Sequence, residues 1–142
     1  MATHTDEKLE LLKHVPLLSE LGRRDIEEVG RLTEEIDVRP GKVLMREGEI
    51  GQEFYVIVDG SVRIDRAGTL VRTLGPGDFF GEIALVDGGP RTATATTESQ
   101  AKMLVVGHRE FNSLMDTYPS IQSCVLRALA SRVRNLEPDA AH

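Results

Sequence analysis

The sequence predicts a mainly β fold with flanking helices, a jelly-roll-like β-roll that has N-terminal and C-terminal helices. In the middle of the chain, short apolar runs separated by turn residues follow one another for about seventy residues. Aromatic residues make up only 4% of the chain, while 13 glycines and 6 prolines fall mostly between those runs, which suits a turn-rich β fold. At both ends, apolar residues recur at helical spacing instead.

Residues 1–34 are predicted to form the N-terminal helical part. A first short helix runs from about Asp6 to His14 and ends ahead of Pro16, because proline disfavours helix in the residue before it. A second helix runs from Arg23 to about Glu34. The apolar positions that indicate these helices are Leu9, Leu11 and Leu12 in the first and Ile26, Val29 and Leu32 in the second.

Residues 35–107 are predicted to form the β-roll. The run Phe54–Val58 is apolar throughout, as expected for a strand covered on both faces. The dipeptide Asp59-Gly60 is a hairpin turn signal, and after it Val62 and Ile64 alternate with polar residues, as on a half-buried strand. The other predicted strands are Val43–Met45, Thr69–Leu74 and Lys102–Val106.

Residues 108–137 are predicted to form the C-terminal helices. A short helix covers His108 to Met115, Tyr118-Pro119 interrupts it, and a longer helix follows and ends near Pro138. The apolar stripe of the longer helix consists of Ile121, Val125, Leu129, Val133 and Leu136. With no repeat or linker in the sequence, residues 1–142 are expected to form a single domain.

Composition and charge argue against several classes of protein. With 23 acidic and 17 basic residues the formal charge is −6, so direct DNA binding is not expected. The single cysteine excludes an internal disulfide, and the four histidines lack metal-ligand spacing, so no metal is expected. The polar first residues and the absence of a long apolar run argue against secretion and membrane insertion, and a cytoplasmic location is expected.

Residues 80–94 depart from the strand pattern on either side and predict a ligand loop. Gly81 would allow close backbone approach, and Glu82–Val86 could form one helical turn whose unpaired N–H groups point at an anion. Arg91 then offers a guanidinium that can donate two parallel hydrogen bonds to a phosphate. Thr92 adds a hydroxyl donor beside it.

Two pieces of this loop carry a family resemblance. Phe80-Gly81-Glu82-Ile83-Ala84-Leu85, followed by Pro90-Arg91-Thr92-Ala93-Thr94, resembles the phosphate-binding cassette of cyclic-nucleotide-binding domains, as in catabolite activators and protein kinase regulatory subunits. Further pieces resemble the family in the same order, namely Val15–Leu18, Gly41–Leu44 with Glu47-Gly48, and Tyr55–Val62. The resemblance therefore covers nearly the whole chain.

The resemblance implies a role for each residue of the loop. Arg91 would pair with the exocyclic oxygens of the cyclic phosphate, and the Glu82 carboxylate would accept a hydrogen bond from the ribose 2′-hydroxyl. The implied ligand-binding residues are Gly81, Glu82, Ile83, Ala84, Arg91, Thr92 and Ala93. The weaker nominees for the base pocket are Val62, Ile64 and Val71, with Arg134 and Leu136 as a cap over the base.

The resemblance leaves the identity of the base open. A hydroxyl residue directly after the arginine can favour guanine in this family, yet bacterial-type members with serine or threonine there also bind cAMP. Thr92 therefore does not decide, and cAMP is the predicted ligand with cGMP as the alternative.

The function predicted in this way is a non-enzymatic sensor whose helices from His108 onward change position when the nucleotide binds. An effector protein, or a second copy through the last helix, is the expected partner. The first alternative is a degenerate regulatory domain that signals without a ligand. A metal-dependent enzyme on a cupin-like roll would need a histidine and carboxylate cluster, and a catabolite-activator-type regulator would need a helix-turn-helix domain after His142.

Each loop residue also has a simpler interpretation. Arg91 could be a surface arginine paired with Asp87 or Glu98, where an ion pair contributes little. Glu82 could complement a helix dipole, and Thr92 could be an ordinary strand residue.

Overall fold

A computed structural model describes residues 4–81 and 89–136. Within them, helices lie at both ends of the chain and strands lie between them, as the sequence predicts. The helical elements are α1 (His4–Lys13), a 3-10 helix (Pro16–Leu18), α2 (Arg23–Leu32), α3 (His108–Thr117) and α4 (Pro119–Leu136). The strands are β1 (Glu34–Val38), β2 (Val43–Met45), β3 (Glu53–Asp59), β4 (Val62–Arg66), β5 (Thr69–Leu74), β6 (Phe79–Phe80), β7 (Thr94–Thr97) and β8 (Ala101–Gly107).

In the described residues the strands form two antiparallel sheets of four strands each. The first sheet has the order β1-β8-β3-β6, and the second has the order β2-β7-β4-β5. The two sheets exchange strands along the chain, so neighbours in a sheet are mostly distant in sequence. This arrangement confirms the predicted β-roll with flanking helices.

The first sheet is covered on both faces, which explains why its central strands are apolar throughout. On β3, Phe54 and Val56 face the helices, whereas Tyr55 and Ile57 face the second sheet. The face toward the helices belongs to what we call the helix-side core. The buried members of this core are Leu12, Val15, Leu17, Leu18, Ile26, Val29, Phe54, Val56, Phe79, Leu104, Val106, Phe111, Leu114, Ile121 and Val125.

The space between the two sheets is the roll interior. The side chains of Val62 and Ile64 point into it from β4, while Arg63 and Asp65 lie on the outer face and form an ion pair of 3.0 Å. This is the period-2 alternation that the sequence predicts for a half-buried strand. The buried members of the roll interior are Val38, Tyr55, Ile57, Val62, Ile64, Leu74, Phe80, Ala93, Ala95, Ala101, Met103 and Val105.

The boundaries of the elements agree with the sequence to within a few residues. The second helix ends at Leu32 rather than near Glu34, because Glu34 already pairs with Val105 at the start of β1. Helix α3 ends at Thr117, and Pro119 begins α4, so the predicted break at Tyr118-Pro119 lies between two helices. A proline is accommodated at the first position of a helix because that position needs no N–H donor.

Candidate functional site

The backbone of Arg91 is fixed in the segment that leads into β7. Its N–H donates to the carbonyl of Glu49 at 2.7 Å, and its own carbonyl accepts from the N–H of Gly48 at 2.8 Å. Pro90 also forms a bridge to Ile50. The main chain at Arg91 is therefore tied to the segment between β2 and β3, which sets the direction of its side chain.

The side chain of Arg91 is buried and points toward the first sheet. It is 6% exposed, so it is not the surface arginine of the simpler interpretation. Its Nη1 donates to the carbonyl of Gly81 at 2.9 Å, and its Nη2 donates to the carbonyl of Glu53 at 2.7 Å. Because both acceptors are neutral carbonyls, they orient the guanidinium without neutralising its charge.

Burial acts on the charge of this guanidinium. Loss of hydration lowers the pKa of Arg91, and the nearby Tyr55 and Glu53 side chains oppose that shift. An arginine nevertheless keeps its proton in a protein at neutral pH, because its ordinary pKa is so high. The site therefore holds a permanent, oriented positive charge that is mostly removed from water.

Gly81 is the other fixed part of the site. Its φ angle is +96°, a conformation that side-chain-bearing residues rarely adopt. A Cβ at this position would lie 2.8 Å from Nη1 of Arg91 and 2.9 Å from the Glu53 carbonyl oxygen. Glycine is thus required both by the backbone conformation and by the close approach of the guanidinium.

Tyr55 and Glu53 are site neighbours that the sequence reasoning missed. The hydroxyl of Tyr55 lies 3.2 Å from the Leu44 carbonyl oxygen and 3.4 Å from Oε1 of Glu53. Its ring stacks on Phe80, with centroids 4.9 Å apart and an interplanar angle of 12°. A tyrosine inside an otherwise apolar strand was the available signal, because a buried phenol normally needs a hydrogen-bond partner.

The other predicted residues before and after Arg91 occupy different environments. Ala93 is buried in the roll interior, whereas Thr92 is exposed and its carbonyl accepts from Nε of Arg66 at 3.2 Å. Glu82, Ile83 and Ala84 lie outside the described residues, as does Asp87. Of the predicted set, the structure therefore brings Gly81 and Arg91 into contact and places Ala93 in the roll interior.

The predicted base-pocket residues separate into two groups. Val62 and Ile64 are buried in the roll interior, whereas Val71 is 39% exposed. A register shift between Ile64 and Asp65 leaves Val71 without a paired position and places Arg72 opposite Ile64. Arg134 and Leu136 belong to α4, and their side chains lie outside the described part of the chain.

The described residues contain neither a metal-ligand cluster nor a membrane-spanning helix. No group of three or more histidine, cysteine, aspartate or glutamate side chains in residues 4–81 and 89–136 could hold a metal ion. In the same residues, no helix is long and apolar enough to span a membrane.

A β-roll with flanking helices and a buried, oriented arginine is the arrangement on which comparison with known proteins can be made. The family model described as "Cyclic nucleotide-binding domain" matches residues 35–118. The chain belongs to the cyclic nucleotide-binding domain family. The matched range contains all eight strands described above except the first residue of β1.

Similar proteins include regulators from fungi and bacteria. The chain is 37% identical to a cAMP-dependent protein kinase regulatory subunit of Yarrowia lipolytica over 73% of the chain and 28% of that protein. It is 33% identical to a CRP-like cAMP-activated global transcriptional regulator of Mycobacterium tuberculosis over 75% of the chain and 50% of that protein. The chain thus matches half or less of the length of these relatives.

Solved structures share the fold. The catabolite activator protein of Thermus thermophilus superposes with a TM-score of 0.78 at 26% identity, over 89% of this chain and 62% of that one. The sequence-based assignment to the family is therefore confirmed.

Proposed function

We propose that this domain binds a cyclic mononucleotide through Arg91, with cAMP preferred over cGMP, and passes the signal on by moving its C-terminal helices. The observation that carries the proposal is the buried Arg91 guanidinium, which the carbonyls of Gly81 and Glu53 orient at 2.9 and 2.7 Å. A guanidinium has five N–H donors, so donors remain for an anion after these two contacts. A ring-closed phosphodiester carries one negative charge, which matches one fixed cation.

The loop residues that precede Arg91 would complete the phosphate and ribose contacts. In this proposal the Glu82 carboxylate accepts the ribose 2′-hydroxyl, and the N–H groups of Ile83 and Ala84 donate to the phosphate together with the Thr92 hydroxyl. Val62 and Ile64 offer a buried apolar surface for the base on the inner face of β4. The preference for cAMP is supported by the relatives, which are named for cAMP.

The movement of the helices is supported by how they contact the site strand. Phe111 of α3 packs on Phe54 of β3 with ring centroids 4.7 Å apart, and Phe54 follows Glu53, whose carbonyl receives Arg91. The helix-side core also contains a cavity of about 20 Å³ lined mainly by apolar side chains, including Leu12, Phe111 and Ile121. A core with unfilled space allows α3 and α4 to repack at lower cost than a fully packed one.

Calorimetric titration of the full chain with cAMP, cGMP and linear 5′-AMP tests the ligand. We expect binding of the cyclic nucleotides, tighter for cAMP, and a raised melting temperature, because a ligand specific to the native state stabilises it. Arg91→Lys keeps the charge but loses the two-pronged donor, and it should weaken binding by about 10-fold or more. The matched control is Arg63→Lys on the outer face of the roll, which should leave the affinity unchanged.

Two results would contradict the proposal. Equal affinities of the Arg91→Lys and Arg63→Lys variants would remove Arg91 from the site. No melting shift with millimolar cyclic nucleotide would favour the alternative, a regulatory domain that acts without a ligand.

The helix movement needs its own measurement. Hydrogen exchange of residues 108–136 in the presence and absence of cAMP should differ if α3 and α4 change position. Exchange rates that are identical at saturating ligand would show binding without the proposed output.

A further inference from the structure

Tyr55 links both carbonyls that hold Arg91. One of them belongs to Glu53, which lies two residues before Tyr55 on β3. The other belongs to Gly81, which directly follows Phe80, and Phe80 is paired with Tyr55 in the β3–β6 ladder. The ring of Tyr55 also stacks on Phe80 at 4.9 Å. The side chain of Tyr55 is therefore connected to both residues whose carbonyls accept from Arg91, to Glu53 along β3 and to Gly81 through Phe80.

The hydroxyl of Tyr55 connects the two sheets across the roll interior. It lies 3.2 Å from the carbonyl oxygen of Leu44, on β2 of the second sheet. The β2–β7 register shifts between Val43 and Met45, so Leu44 is at an irregular point of that ladder. The phenol therefore donates to a carbonyl at a point where the ladder is irregular.

The same hydroxyl has a second acceptor close to Arg91. Oε1 of Glu53 lies 3.4 Å from it, and a phenol has one proton, so it donates to Leu44 or to Glu53 at any moment. Both contacts restrain the start of β3, where the Glu53 carbonyl receives Nη2 of Arg91.

We propose that Tyr55 is the positioning residue of the phosphate site, in which its hydroxyl and its stacked ring hold the Glu53 and Gly81 carbonyls where they orient the Arg91 guanidinium. Its role in affinity rests on the proposed function, whereas its role in ordering Arg91 does not. The competing explanation is that Tyr55 only fills the roll interior, where it is 5% exposed. In that case its hydroxyl would matter for stability alone.

The test compares two buried hydroxyls of the roll. Tyr55→Phe keeps the ring and its stacking and removes only the hydroxyl. The matched control is Thr97→Val, because the Thr97 hydroxyl is also buried, donates to the Arg39 carbonyl at 2.7 Å and accepts from the Lys42 N–H at 2.9 Å. Both variants should lower the melting temperature, because each leaves a carbonyl without its donor.

The readout that separates the explanations is the guanidinium itself. In the ligand-free full chain, nuclear magnetic resonance should show Nη protons of Arg91 that exchange slowly with water. Their exchange should be faster in Tyr55→Phe and unchanged in Thr97→Val. Affinity for cAMP should fall about 3- to 10-fold in Tyr55→Phe, which corresponds to the loss of one neutral hydrogen bond. In Thr97→Val it should fall less than about 2-fold. Phe80→Leu, which keeps the hydroxyl but removes the stacked ring, should change the Arg91 protons in the same direction as Tyr55→Phe.

A double-mutant cycle completes the test. In the Arg91→Lys background, Tyr55→Phe should lose most of its effect on cAMP affinity, because it acts through the guanidinium. Additive effects, or Arg91 protons that do not change in Tyr55→Phe, would overturn the proposal. If the wild-type chain binds no cyclic nucleotide while the Arg91 protons behave as expected, the proposed function fails and the positioning role stands.

Discussion

The two faces of the first sheet border cores of different character. The helix-side core is built from apolar residues contributed by both helical ends of the chain and by one face of β3, β6 and β8. The roll interior receives the other face of the same strands, and it also receives polar groups. Neighbouring residues of one strand, such as Phe54 and Tyr55, therefore serve different parts of the molecule.

The buried polar side chains come from β7 and from the segment that precedes it. Among the described residues, Arg91 and Thr97 are the buried polar or charged ones by residue exposure. Thr97 lies on β7 with the inward-facing parity of Ala95, whereas Arg91 precedes the strand and its guanidinium donates to the carbonyls of Gly81 and Glu53. Buried polar groups are therefore found on one side of the first sheet, whereas the other side provides apolar packing against the helices.

The largest expected effect separates packing from chemistry in the two cores. Phe111→Ala in the helix-side core and Phe80→Ala in the roll interior each remove a buried ring, 2% and 1% exposed. Each should lower the free energy of unfolding by about 3–5 kcal/mol in chemical denaturation. Phe80→Ala should also increase the exchange of the Arg91 guanidinium protons more than Phe111→Ala does, because Phe80 directly precedes Gly81, whereas Phe111 reaches Glu53 only through Phe54.

The corresponding leucine variants, Phe111→Leu and Phe80→Leu, keep the test available if an alanine variant does not fold. Equal changes of the Arg91 protons in both positions would contradict the division into two cores.

Much of the fold could be predicted because it is encoded locally. The alternation of Val62 and Ile64 with Arg63 and Asp65 specifies a half-buried strand by itself. The uninterrupted apolar run of β3 specifies a strand covered on both faces, and the structure confirms that cover. Residues 80–94 were predicted to be a ligand loop because they depart from the strand pattern on either side and combine glycines with a charged pair, Glu82 and Arg91.

The neighbours of Arg91 could not be predicted because pairing between distant strands brings them there. Gly81 and Glu53 meet the guanidinium only after β6 pairs with β3. The spacing of these residues in the sequence does not predict that pairing. The register shift in β4–β5 is a second example. The family resemblance nominated Val71 for the base pocket, whereas the shift places Arg72 opposite Ile64 and leaves Val71 without a paired position.

An intermediate effect is expected at alkaline pH. Burial, followed by the charge of Glu53, raises the pKa of Tyr55 from 10.0 to about 12. The neutral phenol is thus favoured in the fold, and the stability that it contributes is fully present below pH 10 and is lost as the pH rises toward 12. The loss should be about 2–3 kcal/mol over this range.

Denaturation curves between pH 9 and pH 12 check this, because Tyr55→Phe should show a smaller loss of stability than the wild type. Tyr118, at the junction of α3 and α4, is the comparison in the helix-side core. Burial also raises the pKa of Tyr118, but its side chain is only partly buried, so Tyr118→Phe should change the alkaline profile less. A larger effect of Tyr118→Phe would contradict the assignment of the buried phenol to the roll interior.

The smallest expected effect on the free energy of unfolding comes from glycine substitutions. Comparing two of them separates the contact between Gly81 and Arg91 from the strain of a left-handed backbone conformation. Gly81 and Gly68 have φ angles of +96° and +81°, so alanine at either position is strained. At Gly68 a Cβ would meet nothing within 4 Å, whereas at Gly81 it would meet Nη1 of Arg91 at 2.8 Å. Both variants should lose about 1 kcal/mol or more of stability from the backbone conformation.

Only Gly81→Ala should also displace the guanidinium, and it should weaken cAMP binding by about 10- to 100-fold, as expected for the loss of a charge-assisted contact. Calorimetric titration of the two variants measures the difference. Because the strain is common to both, equal losses of affinity would mean that the close approach of Gly81 to Arg91 has no part in binding. A loss confined to Gly81→Ala would instead assign the need for glycine at this position to its close neighbours, the guanidinium of Arg91 and the Glu53 carbonyl that orients it.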